Sequence, residues 1–245
     1  MLSFVSAKEP LRQPVPRAEK TSKRIRGRLV GASLLCFAVD PTFRCTYFLL
    51  GKERHNYRWP AGSSKWSDFG GSVSGDGDSA ESTAAREFME ETLAVVRYFP
   101  DDVLPRTSWH DIAADLTNGN YTIKITQGDK HRKFVMFVKQ IPWDPDATYR
   151  FSRYRAALTC PRDMCTLDVD AHPAVTEFGS VRKEFIEKKI LSLWSVPQLR
   201  RAVNNNGVMV HRGGRVEHCR ETFLQGLDII LNELEFVGPG VMDEH

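Results

Sequence analysis

Two apolar runs dominate the first third of the chain. Leu29 to Val39 is nearly continuous, and Phe43 to Leu50 closes on Tyr47-Phe48-Leu49-Leu50. Asp40-Pro41-Thr42 between them is turn chemistry, so the pattern predicts a hairpin buried in a sheet. Further on, Tyr121 to Gln127 alternates with Tyr121, Ile123 and Ile125 on one face, and His131 to Ile141 with Phe134, Met136 and Val138. Asn118-Gly119 and Gly128-Asp129 supply the turns of this second hairpin. Lys188 to Val196 reads as a late strand carrying Ile190, Leu191, Leu193 and Trp194. A short helix from Pro197 follows it and ends at Asn204-Asn205-Asn206-Gly207. From Arg220 to Glu235, Phe223, Leu227, Ile230, Leu231 and Leu234 form one stripe, the mark of a core-facing helix. Val95 to Phe99 reads as a short strand and Asp101 to Leu116 as a loop with a helical turn. Residues 142 to 173, rich in Pro and Arg, show no period that predicts an element.

The pattern breaks at residues 70 to 94. Glycines, serines and aspartates run from Gly70 to Ser79, and no apolar run holds them in a sheet. Asp78 or Ser79 is placed to cap a helix, with Glu81 near enough to complete a capping box. No Gly or Pro interrupts the chain from there to Thr92. On that helix Glu87, Glu90 and Glu91 fall at i, i+3 and i+4, so their carboxylates share one face and repel. Arg86, four residues before Glu90, offsets one charge; a hard divalent cation would offset the rest. The opposite side carries Ala85, Phe88, Met89 and Thr92 and is expected to face inward. Glu-Glu pairs also decorate solvated helices, but here the loop, the cap, Arg86 and Phe88 all stand at set distances from the acids.

This stretch resembles the Nudix box, G-x5-E-x7-R-E-U-x-E-E-x-G-U, with U a bulky apolar residue. Arg86-Glu87-Phe88-Met89-Glu90-Glu91 matches its core in full. Asp78 stands where the family has Glu, the loop back to Gly71 holds one extra residue, and Leu93 replaces the late glycine. The resemblance implies an α/β fold, a Nudix-type α/β/α sandwich around a mixed β-sheet. It also implies hydrolysis of a nucleoside diphosphate linked to another group, with Mg²⁺ or Mn²⁺ as cofactor. Glu87, Glu90 and Glu91 would hold the metal, with backbone groups of Gly70 and Gly71 beside it. Arg86 would orient the glutamates. Glu87, or a loop acid such as Glu184 or Glu187, would take the proton from the attacking water. The alternative is a Nudix module that binds a nucleotide or RNA without turning it over. The three intact acids favour the enzyme.

Other candidates carry two readings each. Trp66, with Tyr57 and Trp59, either stacks on a base or pins a long loop to the core. The resemblance sets Trp66 and Phe69 as packing. Lys124 and Arg132 either meet substrate phosphates or are exposed charge on a hairpin.

Composition narrows the picture. In 245 residues, 41% hydrophobic supplies a sizeable core, and no apolar run reaches the length of a membrane span. Five scattered cysteines read as free thiols, which points to a cytoplasmic setting, with the nucleus or an organelle still open. Residues 1 to 28 hold eight basic residues against Glu9 and Glu19, a net +6; with the chain at +3, the remainder is −3. Three prolines and little periodicity make this tail an expected disordered arm, able to meet RNA by charge alone. A merely solubilising arm is an equal reading. Residues 29 to 237 are expected to form one domain with insertions, and residues 238 to 245 a disordered end.

Overall fold

The computed structural model describes residues 18–20, 27–56, 61–75, 77–101, 107–159, 187–210 and 214–233. Strands β2 (Arg28–Val39) and β3 (Thr46–Glu53) form the expected hairpin. Its turn is closed by Asp40 Oδ1, which accepts the backbone N–H groups of Thr42 and Phe43 at 2.8 and 3.2 Å. The second hairpin is β6 (Ile123–Gly128) and β7 (Arg132–Gln140). β7 runs parallel to β2, which places the two hairpins side by side in one sheet. β8 (Lys188–Ser195) adds to β3 on the other side, antiparallel. Within the segment expected to be a disordered tail, Ala18–Lys20 forms a short strand, β1, parallel to β6.

One irregularity divides the sheet. β2 pairs with β3 only from Cys36 to Val39; from Gly31 to Leu34 its partner is β5 (Phe69–Ser72). β4 (Trp66–Ser67) meanwhile pairs with β3 at Gly51 and Lys52. The chain thus leaves β3 for β2 across the single residue Asp68, and the sheet is split at that point.

Alternation sends side chains to two cores. Ala32, Leu34, Cys36 and Phe137 face α1 (Ala80–Glu91), α2 (Trp109–Thr117) and α3 (Ala147–Thr159). Leu35, Phe37, Met136 and Val138 face α4 (Val196–Asn204) and α5 (Glu221–Glu233). This is the α/β/α sandwich around a mixed sheet. Among the described residues no helix is long and apolar enough to cross a membrane.

Several expectations are corrected. Val95 to Phe99 forms no strand; Val95, Val96 and Tyr98 are instead buried irregular backbone under α1. The segment read as a loop with a helical turn holds the nine-residue helix α2, started by a Ser108–Asp111 capping box. α3 lies where no element was predicted, and a small hairpin of β9 (Val208–Val210) and β10 (Val216–His218) was not foreseen either. Tyr121 precedes β6 and packs on the α1 side, away from Ile123 and Ile125. α1 is capped by Ser79, whose Oγ accepts the N–H of Ser82 at 3.0 Å. That choice puts Glu81 one position too early for a capping box, and it pairs with Lys124 at 3.0 Å instead.

Candidate active site

α1 is held at the split in the sheet by its buried apolar side. Phe88 is fully buried between Phe69 and Tyr98, in edge contacts with centroids 5.5 and 6.1 Å apart. With that face held down, Glu87, Glu90 and Glu91 are presented to β5 at different depths. Arg86 lies across the outer two: one nitrogen is 2.8 Å from Glu87 Oε1, and another donates to both oxygens of Glu90 at 3.2 and 3.1 Å. It also donates to the Ser72 carbonyl at 3.3 Å, tying the pair to β5. Glu91 turns inward and is buried, its Oε2 accepting the Gly70 N–H at 2.8 Å.

The two glycines are required by close approach. A Cβ on Gly71 would come within 2.4 Å of the Glu87 carboxylate carbon, and one on Gly70 within 2.3 Å of Ser33 Cβ. A side chain at Gly71 would displace the Glu87 carboxylate, and one at Gly70 would force β5 away from β2.

Behind this face sits a group that sequence reasoning missed. Lys188, the first residue of β8, has no solvent exposure. Its Nζ is 2.6 Å from Glu53 Oε1, 2.9 Å from Ser67 Oγ, 3.1 Å from the Asp68 carbonyl and 3.1 Å from Glu91 Oε1. Burial alone would depress this amine, but Glu91 and Glu53 hold its pKa above the usual lysine value. Glu187, one residue earlier, completes the cluster at the rim: Glu53, Glu91 and Glu187 bring carboxylate oxygens within 4.8 Å of one another. In the sequence Glu53 and Lys188 are ordinary charged strand ends; only the antiparallel pairing Glu53↔Lys188 brings them together.

Burial, partly offset by Arg86 and reinforced by Glu90, raises the Glu87 pKa to about 7. Glu187 is also raised, by desolvation and then by the Glu53 charge.

The remaining candidates fall elsewhere. Trp66 is buried, meets Trp194 edge-on at 5.3 Å between centroids, and donates its indole N–H to Glu217. Lys124 pairs with Glu81 on the α1 side of the sheet. Asp78 accepts the Ser74 N–H at 3.2 Å within the loop. Glu184 lies outside the described residues. Arg132 lines a cavity of about 480 Å³ on the α5 side, with Phe134, Phe223 and Arg220, and this cavity reaches Gly70 and Gly71.

The donor set fits a divalent cation of the hard class. Every side-chain donor is a carboxylate oxygen, and no thiolate or imidazole is among them.

No family model matches the chain, and no curated protein matches it. Similar solved structures include the NUDIX domain of Shewanella oneidensis NrtR complexed with ADP ribose, 11% identical with a TM-score of 0.40, over 87% of this chain and 92% of that one. A mutT/nudix family protein from Listeria innocua is 16% identical with a TM-score of 0.38, over 82% and 90%. A C. elegans Ap4A hydrolase is 11% identical with a TM-score of 0.35, over 84% and 99%. At these values the functional reading rests on the site itself.

Proposed function

We propose that the chain is a divalent-cation-dependent hydrolase of phosphoric anhydride bonds, acting on a nucleoside diphosphate linked to another group. One observation carries this reading: Glu53, Glu87, Glu90, Glu91 and Glu187 converge on the split in the sheet, against a Gly-Gly backbone and beside a cavity lined with cations. Arg86, Lys188 and Arg220 pair with that group, three cations against five carboxylates, and leave it short of counter-charge. A protein gains nothing in stability from such crowding, whereas a cation bridging to phosphates requires it.

Glu87, Glu90 and Glu91 of α1, with Glu187 beside them at the rim, would hold Mg²⁺ or Mn²⁺. When bound, the ion supplies Lewis-acid polarisation of the diphosphate and acidifies a water. Glu87 or the loop acid Glu187 would accept that water's proton. Arg86 keeps Glu87 and Glu90 at fixed spacing. In the adjoining cavity the half-buried Phe134 would supply apolar surface for a base, and Arg132 and Lys133 charge for phosphates. The basic segment 1 to 28 makes an RNA-linked diphosphate one substrate class worth including.

The test is release of phosphate or nucleotide from a panel of nucleoside diphosphate derivatives and capped RNA, with Mg²⁺ or Mn²⁺. Glu87→Gln is expected to lower turnover by about 10²–10⁴-fold on whichever compound is cleaved. Binding without turnover, unchanged by Glu87→Gln or Glu90→Gln, would leave a recognition module in place of an enzyme.

A further inference from the structure

The cavity on the α5 side holds an acceptor and a donor that the fold leaves unused. Asp68 and Gln127 both line it. Asp68 Oδ2 and Gln127 Nε2 are buried, with no hydrogen-bond partner among the described residues. We propose that the Asp68 carboxylate accepts the ribose hydroxyls of the nucleotide and makes the protein selective for ribonucleotides over their deoxy counterparts. This rests on the nucleoside diphosphate reading of the site.

Asp68 is the single residue between β4 and β5, at the split, and is only 8% exposed. Its carbonyl accepts Lys188 Nζ at 3.1 Å and the Ser67 hydroxyl at 3.0 Å, so its backbone is pinned. Its carboxylate is not. The nearby cations are engaged elsewhere, Lys188 by Glu53 and Glu91, and Arg220 by Glu53. Desolvation raises the Asp68 pKa against the opposing pull of Ser33, Lys188 and Arg220. The Ser33 hydroxyl brings one proton, and a carboxylate has room for several donors. Such a buried group costs the fold stability until a ligand supplies the missing donors.

Position selects the ribose as that ligand. Lys188 Nζ joins the Asp68 carbonyl to Glu91, the last acid of α1, so a diphosphate on those acids would lie beside Asp68. The ribose is the next part of a nucleotide, and the base lies beyond it. Across the sheet, Gly70 is in register with Ser33, Met136 and Ile125. Asp68 stands two residues to one side of that row and Gln127 two residues to the other, about 13 Å apart along the strands. They also stand three strands apart. The two cannot grip one ring, but a nucleoside held at both ends spans them, leaving Gln127 and Phe134 to the base.

The experiment titrates the common ribonucleoside 5′-monophosphates and their 2′-deoxy and 3′-deoxy counterparts by calorimetry. These carry no anhydride bond, so binding is read without turnover. The wild type is expected to bind its best ribonucleotide about 10-fold or more tighter than at least one deoxy counterpart, as one hydrogen bond to a charged group predicts. In Asp68→Ala this preference is expected to shrink to within about 3-fold. In Gln127→Leu it is expected to persist while all affinities fall. Equal binding of ribo and deoxy forms by the wild type overturns the proposal, whether or not the variants fold. So does a sugar preference that survives in folded Asp68→Ala, or one that is lost equally in Gln127→Leu. If no monophosphate binds, the same ratios are read as kcat/KM on whichever anhydride compound is cleaved. Equal values on its ribo and deoxy forms remove this assignment alone. Neither binding nor turnover of any compound removes the hydrolase reading with it.

Discussion

Glu87 rests against Gly71 so closely that its carboxylate has exchanged water for backbone and for Arg86. Its proton is therefore held up to about 7, against a usual value of 4.5. Between those two values the folded metal-free protein binds more protons than the unfolded chain, so this residue makes stability fall as pH rises through that window. Thermal melts of metal-free protein from pH 5 to 7.5 are expected to show it: wild type loses ground to Glu87→Gln as pH rises. A constant difference between the two would contradict the buried setting of Glu87. Lys188 is held in its charged form, a fully buried cation whose removal strands Glu53 and Glu91. Lys188→Met is expected to lower metal-free stability by about 3–5 kcal/mol in denaturant titration. A loss below about 1 kcal/mol would mean that the carboxylates relax into water.

The ends of α1 explain both a success and a failure of the sequence reading. At its start Ser79 caps the helix through Ser82, and Ser79→Ala should cost about 1 kcal/mol by chemical unfolding. At its exit Leu93 and Ala94 adopt φ of +54° and +51°, the left-handed region that glycine enters most easily. Left-handed geometry costs about 1–2 kcal/mol, but the fully buried Leu93 side chain contributes more, since truncating a core leucine costs about 2–5 kcal/mol. Leu93→Gly is accordingly expected to destabilise the protein by about 2 kcal/mol, whereas a gain in stability would show that strain dominates. The hairpins β2–β3 and β6–β7 and helices α1 and α5 were legible because their apolar period matches their burial. α3 was not, because only Ala147, Phe151 and Ala157 of its thirteen residues are buried, too sparse a stripe among Arg150, Arg153 and Arg155.

The candidate site shows where such reading ends. Arg86, Glu87, Glu90 and Glu91 lie on one helix, and local spacing was enough to group them. Glu53 and Lys188 meet only through the β3–β8 pairing, across 135 positions of sequence, and nothing local announces them. Trp66 has the opposite problem. An aromatic next to a glycine loop suggests a ligand, but the switch of β4 and β5 between partners turns its ring into the α5-side core. The split that buries Trp66 also opens the edge where the carboxylates collect, so the architecture and the acidic site have one cause. The most direct measurement is metal-dependent release of phosphate or nucleotide from diphosphate-linked nucleosides, comparing the wild type with Glu90→Gln. Turnover that requires Mg²⁺ or Mn²⁺ and falls by about 10²-fold or more in Glu90→Gln is the expected result. Turnover that survives both chelation and Glu90→Gln would show that the acids of α1 are not where the chemistry happens.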